Sequence, residues 1–195
     1  MLKLSTDVAA PAVLSALDAI YERRSVRSYL PKTVDRRLIG NLLDAAVQAP
    51  TAVNESPWAF AVVQDRKALK RLSDKALQLL QPGAGARSFA LPDNVFYDAG
   101  TLIVIYGKPL GPFVAADCWL AAENLMLAAR AVGLGTCVIG LATAALNTPE
   151  WKAELKASSD LTAYVPIIVG VPSGQEPPAR RRPPEVLAWK AGLSV

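Results

Sequence analysis

Tyr21-Glu22-Arg23-Arg24-Ser25-Val26-Arg27-Ser28-Tyr29 sets three guanidiniums and two small hydroxyls within nine residues. An arginine side chain is a planar fork of donors that stays charged at physiological pH. Arg-Arg-Ser-x-Arg therefore suits a phosphate and a polarised carbonyl edge together. A charged run at a helix exit is also what a solvated face looks like, and the segment alone leaves both readings open. The chain has no histidine, which removes Ser-His-Asp and Cys-His nucleophile systems, histidine-ligated zinc and imidazole acid/base work. Cys118 and Cys137 have no ligand partners near them in sequence and read as small buried hydrophobes. The carboxylates are scattered among Lys and Arg, so no acid/base pair stands out. An enzyme with this inventory lets a cofactor carry the chemistry.

The elements that must position the arginines follow from periodicity. Leu14, Leu17, Ile20 and Tyr21 recur at helical spacing, so the arginine run begins at a helix C-terminus. A second helix carries Leu38, Ile39, Leu42, Leu43 and Ala46 on one face and ends near Ala49-Pro50. A polar loop from Thr51 to Pro57 leads into a strand, Trp58 to Val63; Arg66 to Leu80 is helical. The Pro82-Gly83-Ala84-Gly85 turn is a candidate lid. Thr101 to Tyr106 reads as a strand buried on both faces, and Phe113 to Val132 as a long helix closed by Gly133 and Gly135. Thr136 to Ile139 and Tyr164 to Val171 complete the strands, with a Thr148-Pro149 helix start between them. This order is not a clean βαβ alternation. It predicts an α+β fold with a mixed, largely antiparallel central sheet surrounded by helices.

With 195 residues, the chain is expected to form one domain over 1–195, with 172–195 as a Pro/Arg-rich arm. Its 52% hydrophobic content, without a membrane span, predicts a homo-oligomer, and the 113–132 helix is the first choice for its contacts. Asp117, Glu123 and Arg130 argue against that helix as a bilayer span. Asp7, Asp18 and Glu22 interrupt any secretory pattern, and two cysteines suit a reducing cytoplasm. A net charge of +4, concentrated in arginine clusters near both ends, favours a small anionic ligand over nucleic acid.

Several signatures occur in one order: Arg23-Arg24-Ser25-Val26-Arg27; Ala49-Pro50-Thr51-Ala52-Val53-Asn54-Glu55-Ser56-Pro57-Trp58; Asn124-Leu125 through Gly133-Leu134-Gly135 to Gly140; Val165 to Gly170; and Arg180 with Arg182. From about residue 14 to 185 the set resembles the FMN-dependent nitroreductase family. The resemblance implies an obligate homodimer with two FMN sites, each lined by both chains, and NADH or NADPH as reductant for a nitroaromatic or similar small oxidised acceptor. It places Arg23 and Ser25, within the Arg24-containing cluster, at the phosphate and ribityl end, and Arg27 at the pyrimidine edge. Thr51, Ala52 and Asn54 would contact the flavin, with Asn54 otherwise a turn residue. Val138, Ile139 and Gly140 would form an apolar wall near N5, and Arg180 and Arg182 would reach the phosphate. No side chain is assigned as catalytic, because flavin N5 carries the chemistry. Three positions depart from the family: Ser56 replaces a common Gln, Thr51-Ala52 replaces a Ser-Ser pair, and no Lys stands near Val95. Related activities within the resemblance include quinone or enone reduction, and a flavin-binding dimer with little turnover is the non-enzymatic alternative.

Overall fold

The computed structural model describes residues 13–80 and 91–191, so the turn at 82–85 lies outside the described residues. Four strands form one sheet: β1 (Trp58–Val63), β2 (Thr101–Gly107), β3 (Gly135–Val138) and β4 (Thr162–Gly170). Their order is β1-β2-β4-β3, and every neighbouring pair is antiparallel. Among the described residues, parallel pairing is confined to one bridge, Ser25 with Thr136. That bridge is the mixed part of the sheet.

The helices are α1 (Ala16–Glu22), α2 (Arg36–Ala46), α3 (Arg66–Leu79), α4 (Val114–Ala131), α5 (Thr143–Leu146) and α6 (Pro149–Glu154). Side-chain oxygens start most of them. Asp35 accepts from the Arg37 amide at 2.8 Å and Asp65 from the Ala68 amide at 2.7 Å, each satisfying a donor that has no partner within its helix. Thr148 caps α6 with Pro149 at its first position. At the other end of α4, Gly133 takes φ +80°, and the Leu134 amide donates back to Ala129 at 2.9 Å. A left-handed glycine with this six-to-one bond closes a helix sharply and turns the chain straight into β3.

Every residue of β2 is buried, and alternation divides them between two cores. Leu102, Val104 and Tyr106 pack with Leu69 and Leu72 of α3 and Trp151 of α6; Ile103 and Ile105 pack with Ile39 and Leu42 of α2 and Cys118 and Leu125 of α4. A strand covered on both sides needs apolar residues at consecutive positions, which is why β2 reads as an unbroken Leu/Ile/Val run. Each such side chain contributes about 1.5–3 kcal/mol of burial. Opposite Ile105 and Tyr106 the register of β4 skips Tyr164, a bulge that lets Ala163 join the first core while Val165 joins the second.

Candidate functional site

The arginine segment lies against β3 and the end of β4 on a floor of two glycines. Gly135 and Gly170 are cross-strand partners. A Cβ at Gly135 would meet Val26 Cγ2 at 2.7 Å, and one at Gly170 would meet Tyr29 Cδ1 at 2.7 Å. Only hydrogen at both positions lets Val26 and Tyr29 lie this close. Backbone bonds then stitch the segment down: Val26 N–H to Thr136 O at 3.0 Å, Leu30 N–H to Val171 O at 2.9 Å and Ser173 N–H to Ser28 O at 3.0 Å. The Tyr29 hydroxyl donates to Val26 O at 2.7 Å, and burial raises its pKa, so it stays a donor.

The three arginines have different surroundings. Arg24 donates through Nη1 to the carbonyls of Tyr21 and Arg23, both at 2.7 Å, and through Nε to Pro177 O at 3.4 Å. It closes the C-terminus of α1 and ties down the arm. Arg23 pairs with Glu123 of α4 at 3.4 Å. Arg27 makes one long bond, Nη1 to Ser25 O at 3.5 Å, and among the described residues no carboxylate lies within 4 Å of it. Its Cζ sits 6.0 Å from the centroid of the Tyr97 ring.

Arg23, Arg24, Ser25, Arg27 and Arg181 line a cavity of about 250 Å³ with Glu176, Pro177 and Ala179. Four guanidiniums against one carboxylate make this a seat for an anion. The arm thus contributes Arg181 to the cavity; Arg180 and Arg182, exposed as Arg181 is, do not line it within the protomer.

Below the segment, Cys137 is buried beside Ser25, Arg23 and Arg27. Burial raises its pKa against the opposing pull of those groups, so it remains a thiol. The parallel bridge of Ser25 with Thr136 puts Arg27 level with Val138. Val138 is half-buried, Ile139 is buried with its amide held by Pro166 O at 2.8 Å, and a Cβ at Gly140 would meet nothing within 4 Å. An apolar rim with open space at its end therefore adjoins the arginines.

Thr51, Ala52 and Asn54 are elsewhere. Their loop carries Val53 at φ 53°, Asn54 at φ 59° and Ser56 at φ 48°, conformations that side chains with a Cβ adopt at a cost. Among the described residues, two side-chain contacts hold it. Thr51 Oγ1 accepts from the Ser56 amide at 3.2 Å, and the buried carboxylate of Asp117 accepts from the Ala52 amide at 3.1 Å. The loop enters β1, while the arginines flank β3, the opposite edge of the sheet. Four inter-strand spacings, about 19 Å, separate them across the sheet. Trp58 is level with Gly107 and Thr162, and Thr136 with Val169, so they also lie about 20 Å apart along it. Within one protomer the expected site residues occupy two diagonal corners.

Three further residues at these corners were not singled out from sequence: Tyr97, Glu176 and Arg181. Asp117 was noted there only as a charge that interrupts an apolar helix. Its burial beside a loop amide was foreshadowed by that same oddity, since a carboxylate in an apolar run needs a partner. Val95, around which no Lys stands, is fully buried with its amide bonded to Ser73 Oγ at 3.0 Å.

Comparison with known proteins bears on what such corners hold. The family model described as Nitroreductase family matches residues 20–170. A protein of Methanothermobacter thermautotrophicus, whose name pairs NADH dehydrogenase with NAD(P)H nitroreductase, is 33% identical over 129 residues. The match covers 66% of this chain and 62% of that relative's length. A 5,6-dimethylbenzimidazole synthase of Rhodospirillum rubrum is 31% identical over 170 residues, covering 72% of this chain and 79% of that protein. The crystal structure of a nitroreductase with bound FMN from Desulfitobacterium hafniense superposes with a TM-score of 0.77 over 86% of this chain and 94% of that one, at 23% identity. Its likeness establishes the fold.

Proposed function

This chain belongs to the nitroreductase family, and we propose that it is an FMN-dependent oxidoreductase acting as a homodimer, passing reducing equivalents from NADH or NADPH to a nitroaromatic or similar small oxidised acceptor. The observation that carries the reading is the diagonal placement of its two corners. One holds the cationic seat and the apolar rim of β3; the other holds the Thr51–Asn54 loop. A single flavin can touch both only if the second corner comes from another copy.

Exposed apolar side chains support that second copy. Val13, Leu17, Ile20 and Tyr21 of the first helical region, Phe113, Trp119 and Leu120 around α4, and Leu187 and Trp189 of the arm all stand in water in the protomer. Apolar patches of this kind mark interfaces. α4 carries both an exposed Trp119-Leu120 face and the buried Asp117 that fixes the loop, so one helix joins the interface to the second corner.

The residues present fit FMN in charge and shape. Arg23 and Arg181 would take the phosphate with the Ser25 hydroxyl nearby. Arg27, unneutralised, would meet the pyrimidine edge, where its charge favours the reduced cofactor. Gly140 and Val138 would leave one ring face open to a stacking reactant without offering a competing proton donor. When bound, FMN supplies reversible two-electron chemistry, which matches a chain without histidine. The remaining contribution of the protein is to hold reactants at attack distance, roughly 3–3.5 Å.

The test is the visible spectrum of the purified protein, with the chromophore released and identified, followed by NAD(P)H oxidation with a nitroaromatic and with a quinone. Stoichiometric FMN with acceptor-dependent turnover is the expected result, and the better acceptor fixes the substrate class. A colourless protein that takes up no added FMN would sink the reading. Bound flavin without turnover would leave a binding dimer.

A further inference from the structure

We propose that Tyr97 is a positioning residue: its ring holds the Arg27 guanidinium at the edge of the flavin seat. The inference rests on the reading that Arg27 meets the flavin's pyrimidine edge.

Tyr97 adopts φ 51° and Asp98 φ 58°. Left-handed backbone at a bulky aromatic residue is a rare and costly choice in a turn that glycine would fill freely. The surroundings force it. Asn94 accepts from the Phe96 amide through its side chain at 2.9 Å and donates to Asp98 at 2.8 Å, while its carbonyl accepts from the Tyr97 amide at 3.1 Å. Val95 and Phe96 are sunk in the core on the near side, and the Ala99 amide closes on Phe96 O at 3.0 Å on the far side. Strain held this firmly points to a use for the side chain it carries.

The use is visible in what Arg27 lacks. Its one hydrogen bond is long, and a carboxylate partner would fix it at the expense of the charge that the seat needs. An aromatic face restrains a guanidinium while leaving its charge intact. The Tyr97 ring, half-buried and 6.0 Å from Arg27 Cζ, is placed to do this.

Three variants separate the ring from the backbone: Y97G, Y97F and Y97L. The readouts are melting temperature, FMN affinity and the two-electron potential of the bound flavin. Y97G relieves the left-handed strain but gives up the ring's packing on the first core, so its melting temperature is compared with that of Y97L, which keeps the strain. Y97G is expected to weaken binding of reduced FMN about tenfold more than that of oxidised FMN, equivalent to a potential lower by about 30 mV. Y97L reproduces that shift, and Y97F restores the wild-type potential because the ring face remains. A wild-type potential and affinity in Y97G and Y97L would overturn the inference, as would Y97F behaving like Y97G, which would assign the effect to the hydroxyl. R27A separates this from the underlying reading. If R27A leaves flavin affinity and potential untouched, the reading of Arg27 falls with the inference. If R27A shifts them and Y97G does not, the inference alone falls.

Discussion

The two corners of the sheet solve the same problem, holding a polar segment against an apolar body, by opposite means. At the β3 corner, side chains are removed: Gly135 and Gly170 offer bare backbone, and Val26 and Tyr29 settle onto it. Main-chain bonds to residues 136, 171 and 173 then fix the segment from several sides. At the β1 corner, a side chain is added. Asp117 reaches out of α4 to one loop amide, and Val53, Asn54 and Ser56 take left-handed backbone, with Val53 91% exposed. The first corner is finished within the protomer. The second is shaped but uncovered, as expected of a surface that another copy completes.

The sharpest way to break this comparison is to disable each corner in a different chain. Arg27→Glu reverses the charge of the first, and Asn54→Pro is incompatible with φ 59° in the second, so neither homodimer should hold flavin. Refolding the two variants together should restore about a quarter of the wild-type flavin content, because half of the dimers are mixed and each mixed dimer has one intact site. No recovery, with mixed dimers demonstrably formed, would mean that each site is built within one chain.

Gly170→Val sharpens the contrast from the glycine side. Its side chain would collide with the Tyr29 ring, and overpacking of this kind should cost about 2–3 kcal/mol in urea unfolding. Gly40→Ala in α2 is the control: a Cβ there meets nothing within 4 Å, and alanine in a helix should add about 0.5–1 kcal/mol. Equal losses at both positions would remove the argument for a bare floor.

Asp117→Ala probes the other corner and should cost about 1–2 kcal/mol by orphaning the Ala52 amide. Flavin affinity should fall in the assembled protein, while the Arg23–Arg27 segment keeps its protection from amide exchange. Loss of protection at Val26 and Leu30 would show that the corners are not independent.

The last effect is confined to alkaline pH, and it comes from the residue after Asp117. Burial pushes the Cys118 thiol up to about 12 from 9.0, with the Asp117 carboxylate adding to the rise. The folded chain keeps a proton that the unfolded chain releases, so stability should fall by about 1.4 kcal/mol per pH unit between about pH 9 and pH 12. Cys118→Ala should flatten that limb by one such slope in urea titrations. Tyr106, also pushed up to about 12, remains to contribute above pH 10.0.

Much of this fold was legible because it rests on local rules. The unbroken apolar run of β2, the caps at Thr148 and Gly133 and the proline that limits α2 each declare themselves within a few residues. What sequence could not supply was the partner of each group. Arg24 looks identical to its neighbour until its three backbone carbonyls are seen, and Arg181 is indistinguishable from Arg180 and Arg182 until one of them faces the cavity. Sheet order decided the rest, since β1 comes first in the chain and ends up farthest from the arginines that precede it.

The bond from Arg24 to Pro177 spans 153 positions, and the segment it anchors is otherwise held by residues 136, 171 and 173. The arginines precede every strand in the sequence, yet the floor they rest on is incomplete until β4 is in place. The seat therefore depends on contacts of long sequence separation and is among the last features of this domain to form.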